Sequence, residues 1–310
     1  MNDLALIITT LGALLLLGLV GDLLSRALPL PRVTLLVLTG IVIGPPGLAL
    51  LPGEATDWYP LISDLALLMV GFLLGGKLSR ETLADVGPQV LTISAFEVVG
   101  VSLAVFTGLV LTGVPLEVAL LLAGIAPASA PAAVISVTEQ LGARGRYTDT
   151  LLGIVAVDDA WGLVVFSLLL ATAQALGGGG GAVDALVHGG RELGVSLLIG
   201  LAVGVPAAAL TGRLRPGEPT QAEALGVVLL AGGLALWLEA SFLLTAMVVG
   251  AVVVNLAVHH ERPFREIANV EWPFMVLFFI LAGASLEIGA LRTIGWIGLV
   301  YIALRAGGLV

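Results

Sequence analysis

Stretches of about twenty apolar residues, set apart by short clusters of charge, proline or glycine, recur along the chain from end to end. A helix needs ~20 such residues to cross the hydrocarbon core of a bilayer. The pattern predicts eleven spans, near 4–24, 33–52, 60–78, 88–112, 116–138, 147–176, 191–211, 222–239, 241–258, 272–287 and 294–310. The sixth is overlong and runs into the glycine loop Gly177–Gly181. Asn2 and Asp3, rather than a basic segment, precede the first span, which predicts a retained helix and not a cleaved signal peptide. The expected fold class is an all-α polytopic membrane protein, with a single transmembrane domain over 1–310.

Composition agrees, with 58% apolar and 11% charged residues and a mean hydropathy of +1.11, far from a soluble domain with about 25% charged residues. The absence of cysteine excludes disulfides and thiol chemistry, and three histidines leave little for a zinc site. The net charge of −9 is dispersed over many loops, so no nucleic-acid patch is expected. Basic residues sort by loop: Arg26, Arg32, Lys77, Arg80, Arg144, Arg146, Arg213, Arg215, Arg262 and Arg265 fall on one side, Arg191 and Arg292 on the other, and Arg305 inside a span. Cytoplasmic loops carry the excess of Lys and Arg, which places the N-terminus outside a cell inner (plasma) membrane. The five tryptophans read mostly as interfacial anchors, and Glu54, Glu239, His259 and His260 as solvated loop or span-end residues. Gly177–Gly181 lacks the Lys-Ser/Thr of a phosphate loop and reads as a flexible outer loop.

Against this background two adjacent aspartates, Asp158 and Asp159, stand inside 147–176. A charge at the bilayer centre costs roughly 2.5–3.5 kcal/mol even on the lenient insertion scale, so it is tolerated where it faces a cavity, a partner or an ion. Two neighbouring carboxylates also repel each other when both are ionised, and either a proton or a cation relieves that repulsion. Proton and cation then compete for one site, which is the minimal chemistry of an antiporter. Ahead of the pair, Gly124-Ile-Ala-Pro-Ala-Ser-Ala-Pro-Ala-Ala133 sets Pro127 and Pro131 on either side of Ala128, Ser129 and Ala130. Each proline removes a backbone donor and frees a carbonyl. The segment is therefore expected to be a kinked helix or, where it lines a cavity, a broken one, with Ser129 offering a hydroxyl ligand.

A shift of 208 residues aligns Gly75 with Gly283, Leu78 with Leu286, Leu83 with Leu291, Gly87 with Gly295, Ala95 with Ala303 and Gly100 with Gly308. Seven spans separate the partners, and an odd number inverts the topology, as in many transporters. The same shift pairs Glu97 with Arg305, the charged residues inside 88–112 and 294–310. Both are expected near the centre, with Glu97 neutralising Arg305 or taking part in transport.

The segments Ala126–Val134, Leu141-Gly-Ala-Arg-Gly145 and Val157-Asp-Asp-Ala160 resemble the monovalent cation:proton antiporter family, especially its sodium/proton exchanger branch of double-aspartate type. Leu73–Leu83 and Phe278–Leu291 are similar to the family's two repeated segments of glycine followed by an acidic loop. Gly40-Ile-Val-Ile-Gly-Pro45 is similar to its early glycine–proline span, so the likeness covers nearly the whole chain. The resemblance implies an inverted-repeat antiporter fold with a broken crossing helix, and Asp159 as the essential ion and proton site. It further implies Asp158 as a second carboxylate, Arg305 as the basic residue of the later core span, no cofactor, and a homodimer whose mobile core moves like an elevator. On that basis 60–176 forms a first-repeat core, 191–258 the linker and dimerisation-side spans, and 272–310 a partial second-repeat core.

Three features depart from the family pattern. Ser129-Ala130-Pro131 replaces the Thr-Asp-Pro of many relatives, and Arg305 accompanies Asp-Asp where Lys is usual. Arginine does not deprotonate at accessible pH, so it holds any partner carboxylate ionised: pairing with Asp158 predicts one-for-one exchange, and pairing with Glu97 leaves both aspartates free. The chain also stops inside a span, and the expectation is a truncated core of eleven of thirteen spans. Na⁺ is the expected cation, with Li⁺ or K⁺ as substitutes. A sodium-coupled symporter of an organic anion and a non-transporting fragment are the alternatives. A channel would show repeated acidic or carbonyl rings. An intramembrane aspartyl protease would draw its aspartates from two spans.

Overall fold

In the computed structural model, residues 3–27, 30–52, 57–176, 181–211, 220–259 and 261–308 are described. Glu54, Gly177–Gly180, Arg213, Arg215 and His260 lie outside the described residues, as do the side chains of Arg26 and Arg292. The described chain is helical: α1 (Asp3–Ala27), α2 (Arg32–Ile43), α3 (Tyr59–Gly75), α4 (Arg80–Leu111), α5 (Leu116–Ile125), α6 (Pro131–Gln140), α7 (Arg146–Leu176), α8 (Ala182–Thr211), α9 (Thr220–Trp237), α10 (Phe242–Leu256), α11 (Glu261–Ala284) and α12 (Ile288–Gly308).

Each expected span contains a helix, and the fifth contains two, because the chain breaks between α5 and α6. The boundaries differ most at α4, α8 and α11, which begin well before the apolar stretches that end in them. Hydropathy marks the depth of the bilayer, whereas a helix continues as long as its backbone bonds are satisfied. Ser79 supplies the start of α4, its hydroxyl accepting the Thr82 N–H at 3.1 Å. Conversely, α2 has only 12 residues and stops at Gly44, ahead of Pro45 and Pro46. Among the described helices, α1, α4, α7, α8 and α11 are each long and apolar enough to cross a bilayer unaided.

Packing divides the helices into two groups. In the first, α3 lies on α10 and α11 on α2 with backbone against backbone. A Cβ on Gly75 would strike the Met247 carbonyl, one on Gly250 the Phe72 carbonyl, one on Gly40 the Ile280 carbonyl and one on Gly283 the Val37 carbonyl. These contacts follow the 208-residue register, since α11 is the shifted counterpart of α3 and α10 that of α2. In the second group, α4 packs on α7, α5 and α12, with Gly153 against Val90 and Gly308 against Val101. Helix α8 touches both groups through α7 and α10. A core that includes Leu36, Val70, Ile135, Leu152, Met247 and Ile280 fills the space between them. Leu16, Phe96, Leu103, Leu198, Leu230 and Leu299 remain exposed, as a lipid-facing surface requires.

Two tryptophans make contacts inside the protein. Trp161 is mid-way along α7, where its indole donates to Ser94 Oγ at 3.2 Å, and Trp272 lies under the Arg32 guanidinium, 3.6 Å from ring centroid to charge. Each fills an internal contact between helices, and apolar patterning does not distinguish that use from anchoring.

The glycine contacts have a direct test. Gly75→Val and Gly283→Val force the paired backbones apart and should each lower stability by about 1–3 kcal/mol. Gly100→Ala, at a position with open space around it, should leave the melting temperature in detergent unchanged or slightly raised.

Candidate functional site

Helix α5 ends with Ala126 in helical geometry, and α6 starts at Pro131 after Ala130 has turned out of the helix, at φ −109° and ψ 88°. Proline is well suited to the first position of a helix, because the N–H it lacks has no partner there. Pro127 and Pro131 are buried against the bundle, while Ala128 and Ala130 between them are exposed. The segment is thus a broken helix and not a kinked one.

A break at this depth creates a helix C-terminus and a helix N-terminus inside the membrane, each with unpaired backbone groups and partial charge. Arg305 on α12 answers the C-terminus of α5. Its Nε donates to the Ala126 carbonyl at 2.9 Å and its Nη2 to the Ala128 carbonyl. The expected pairing of Arg305 with Asp158 or Glu97 is not formed among the described residues; its donors meet carbonyl oxygens. The guanidinium is suited to this position because its charge never leaves it and its planar donors reach two acceptors at once.

The oxygens left over gather on the other side of the break. Asp158 is 1% exposed, and neither of its carboxylate oxygens has a hydrogen-bond partner. One oxygen of Asp159 and the Ser129 hydroxyl are likewise buried without a partner. Ser129 lies beside Asp158, although no hydrogen bond of normal geometry closes between them. Glu97 on α4 lies in the neighbourhood of Asp158 and forms no ion pair or hydrogen bond among the described residues. Buried polar atoms without partners cost about 1–3 kcal/mol each, more when charged. An oxygen donor set of this kind suits a hard cation or protons. Among the described residues no group of three or more His, Cys, Asp or Glu side chains forms a candidate metal cluster.

A cleft of about 1240 Å³ opens between the two helix groups and is lined by Lys77, Arg80, Glu139, Arg144, Asn255 and Arg265, among others. These residues come from three loop regions expected on the same side of the membrane, and we refer to it as the basic face. At its deep end are Leu73, Ile135 and Leu152. Leu152 precedes Asp159 by two turns of α7, roughly 10 Å along the helix axis.

Sequence reasoning missed several polar contacts near this face. Arg32 donates to Asp22 at 3.2 Å beside the buried Glu271. The side-chain amides of Gln140 and Asn255 accept from the backbone N–H groups of Arg32 and Arg80. A lone carboxamide at the end of a span carries no periodic or compositional signal.

The chain matches the sodium/hydrogen exchanger family, transmembrane region, over residues 12–308. Its fold is similar to the structure of the sodium proton antiporter MjNhaP1 from Methanocaldococcus jannaschii at pH 8, with a TM-score of 0.76 at 20% identity, covering 99% of this chain and 78% of that one. An electron-microscopy map of the same antiporter gives a TM-score of 0.78 at 20% identity over 98% of this chain and 75% of the other. No relative was found among curated proteins.

Arg305→Ala should leave the Ala126 and Ala128 carbonyls without their donor and destabilise the fold by about 2 kcal/mol or more. Arg305→Lys, which retains the charge but not the planar fork, should recover only part of the loss in detergent melting.

Proposed function

Because the chain belongs to the sodium/hydrogen exchanger family, we propose that Asp159, Asp158 and Ser129 form the site at which it exchanges a monovalent cation, foremost Na⁺, for protons. The observation that carries this reading is the group of buried oxygens without partners at the broken helix. A bound cation satisfies several of them at once, and protons satisfy the carboxylates singly, so each displaces the other. Alternating exposure of this site to the two sides of the membrane converts the competition into secondary active antiport.

The reach of Arg305 bears on stoichiometry. With its donors on the Ala126 and Ala128 carbonyls, neither aspartate is held ionised by a permanent partner, and both are free to cycle. This supports the double-aspartate type and an exchange that moves net charge. It also weighs against symport of an organic anion, because the one arginine at the break already has acceptors. We further assign α4–α7 and α12 to the moving unit and α1–α3 with α8–α11 to a scaffold, which serves as the homodimer surface; this takes α3 and α11 out of the expected core segments 60–176 and 272–310, because they pack on α10 and α2. The basic face is assigned to the cytoplasm of a cell whose inner membrane holds the protein, with the N-terminus outside.

Sodium-driven proton movement in proteoliposomes tests the reading. Asp159→Asn should abolish exchange while the protein still folds, and Asp158→Asn should lower exchange and remove its response to membrane voltage. Full exchange by the Asp159→Asn protein would sink the assignment.

A further inference from the structure

Two helix N-termini on the basic face are capped from the opposite helix group. Helix α2 begins after Pro31 with no side-chain cap of its own, and its Arg32 N–H instead donates to Gln140 Oε1 at 2.8 Å. Gln140 is the last residue of α6, the half-helix that leaves the break. The converse contact is made by Asn255 near the end of α10. Its Oδ1 accepts the Arg80 N–H at the start of α4 at 2.7 Å, while its Nδ2 donates to the Leu78 carbonyl at 2.9 Å and to the Ala251 carbonyl at 2.7 Å. A carboxamide of α6, assigned above to the moving unit, thus caps α2 of the scaffold, and a carboxamide of α10 in the scaffold caps α4 of the moving unit. The two bonds join residues 108 and 175 positions apart, and Asn255 also lines the open cleft.

Both capped N–H groups lie in exposed surroundings, so water can take the place of either carboxamide when the groups separate. A contact to an N–H that water can reach suits repeated making and breaking. The rest of the boundary has a different character, since the core between the groups is apolar and undirected. The directional contacts that fix their relative position on this face include these two caps.

We propose that Gln140 and Asn255 are positioning residues of the exchange cycle: a reciprocal pair of caps that holds the two helix groups in the arrangement with the basic-face cleft open. The proposal rests on the alternating-access reading above, because it names what that motion must release. Neither residue touches the cation. Each biases the equilibrium between the two arrangements, and an apparent affinity measured from one side varies with the fraction of protein open to that side.

The chain contains no cysteine, so Ser129→Cys places a single thiol at the break. The rate at which a membrane-impermeant cationic thiol reagent attacks it from the side opposite the basic face reports the population open to that side, and requires no transport. Gln140→Met, which retains length but loses the acceptor, should raise that rate about three- to tenfold, as should Asn255→Ala. The double variant should approach the product of the two, since the caps sit on separate helices. Gln140→Glu keeps an acceptor for the Arg32 N–H and should return the rate to that of the parent. In proteins that exchange, the half-saturating cation concentration on the far side should fall by the same factor, a change that loss of folded protein alone does not produce. Unchanged labelling in Gln140→Met and Asn255→Ala, or equal acceleration in Gln140→Glu, overturns the proposal. Absence of sodium-driven proton movement in the unsubstituted protein would instead defeat the antiporter reading, with the labelling still deciding the caps.

Discussion

A helix interrupted in the middle of a membrane leaves backbone donors and acceptors where water is scarce, and the centre of this protein is organised around that constraint. Pro127 and Pro131 are buried and brace the break from both sides, while Ala128 and Ala130 between them are exposed. Arg305 reaches from α12 to the carbonyls that α5 leaves exposed. What remains is a group of oxygens from Ser129, Asp158 and Asp159 with no partner inside the protein. On the reading proposed above, the missing partners arrive from outside as mobile ions.

The same economy governs the surrounding helices. Without a hydrophobic force to draw helices together in lipid, close packing through small residues takes its place. Gly40, Gly75, Gly250 and Gly283 let two helix pairs meet backbone to backbone, which makes the α2–α11 and α3–α10 pairs resistant to sliding. The helices that carry the break and the acidic pair meet that framework largely through apolar side chains, a surface without fixed bond directions. Rigidity is thus concentrated away from the acidic pair, and compliance lies at the boundary beside it.

Much of this was legible in the sequence, and the limits have physical causes. Apolar runs located every span, and the paired prolines located the break, because both are local properties of the chain. Asp158 and Asp159 stood out since a charge is conspicuous against an apolar background. The partners of Arg305 were not legible: its acceptors are backbone carbonyls, which every residue possesses and no sequence marks. Glu97 was expected to neutralise Arg305 from the 208-residue alignment, yet that alignment fixes depth and not direction around the helix, and the donors of Arg305 meet backbone carbonyls instead. The long approaches to α4, α8 and α11 escaped notice because they are helix outside the apolar window.

The two caps that join the helix groups on the basic face are carboxamides and not ion pairs. A carboxamide carries no titratable proton and no net charge, so the bonds of Gln140 and Asn255 have nearly the same strength in acid as in alkali, and salt does not screen them as it screens a surface ion pair. A protein whose work alters the pH and the salt content of the solution beside it is thereby fastened by bonds that are blind to its own product.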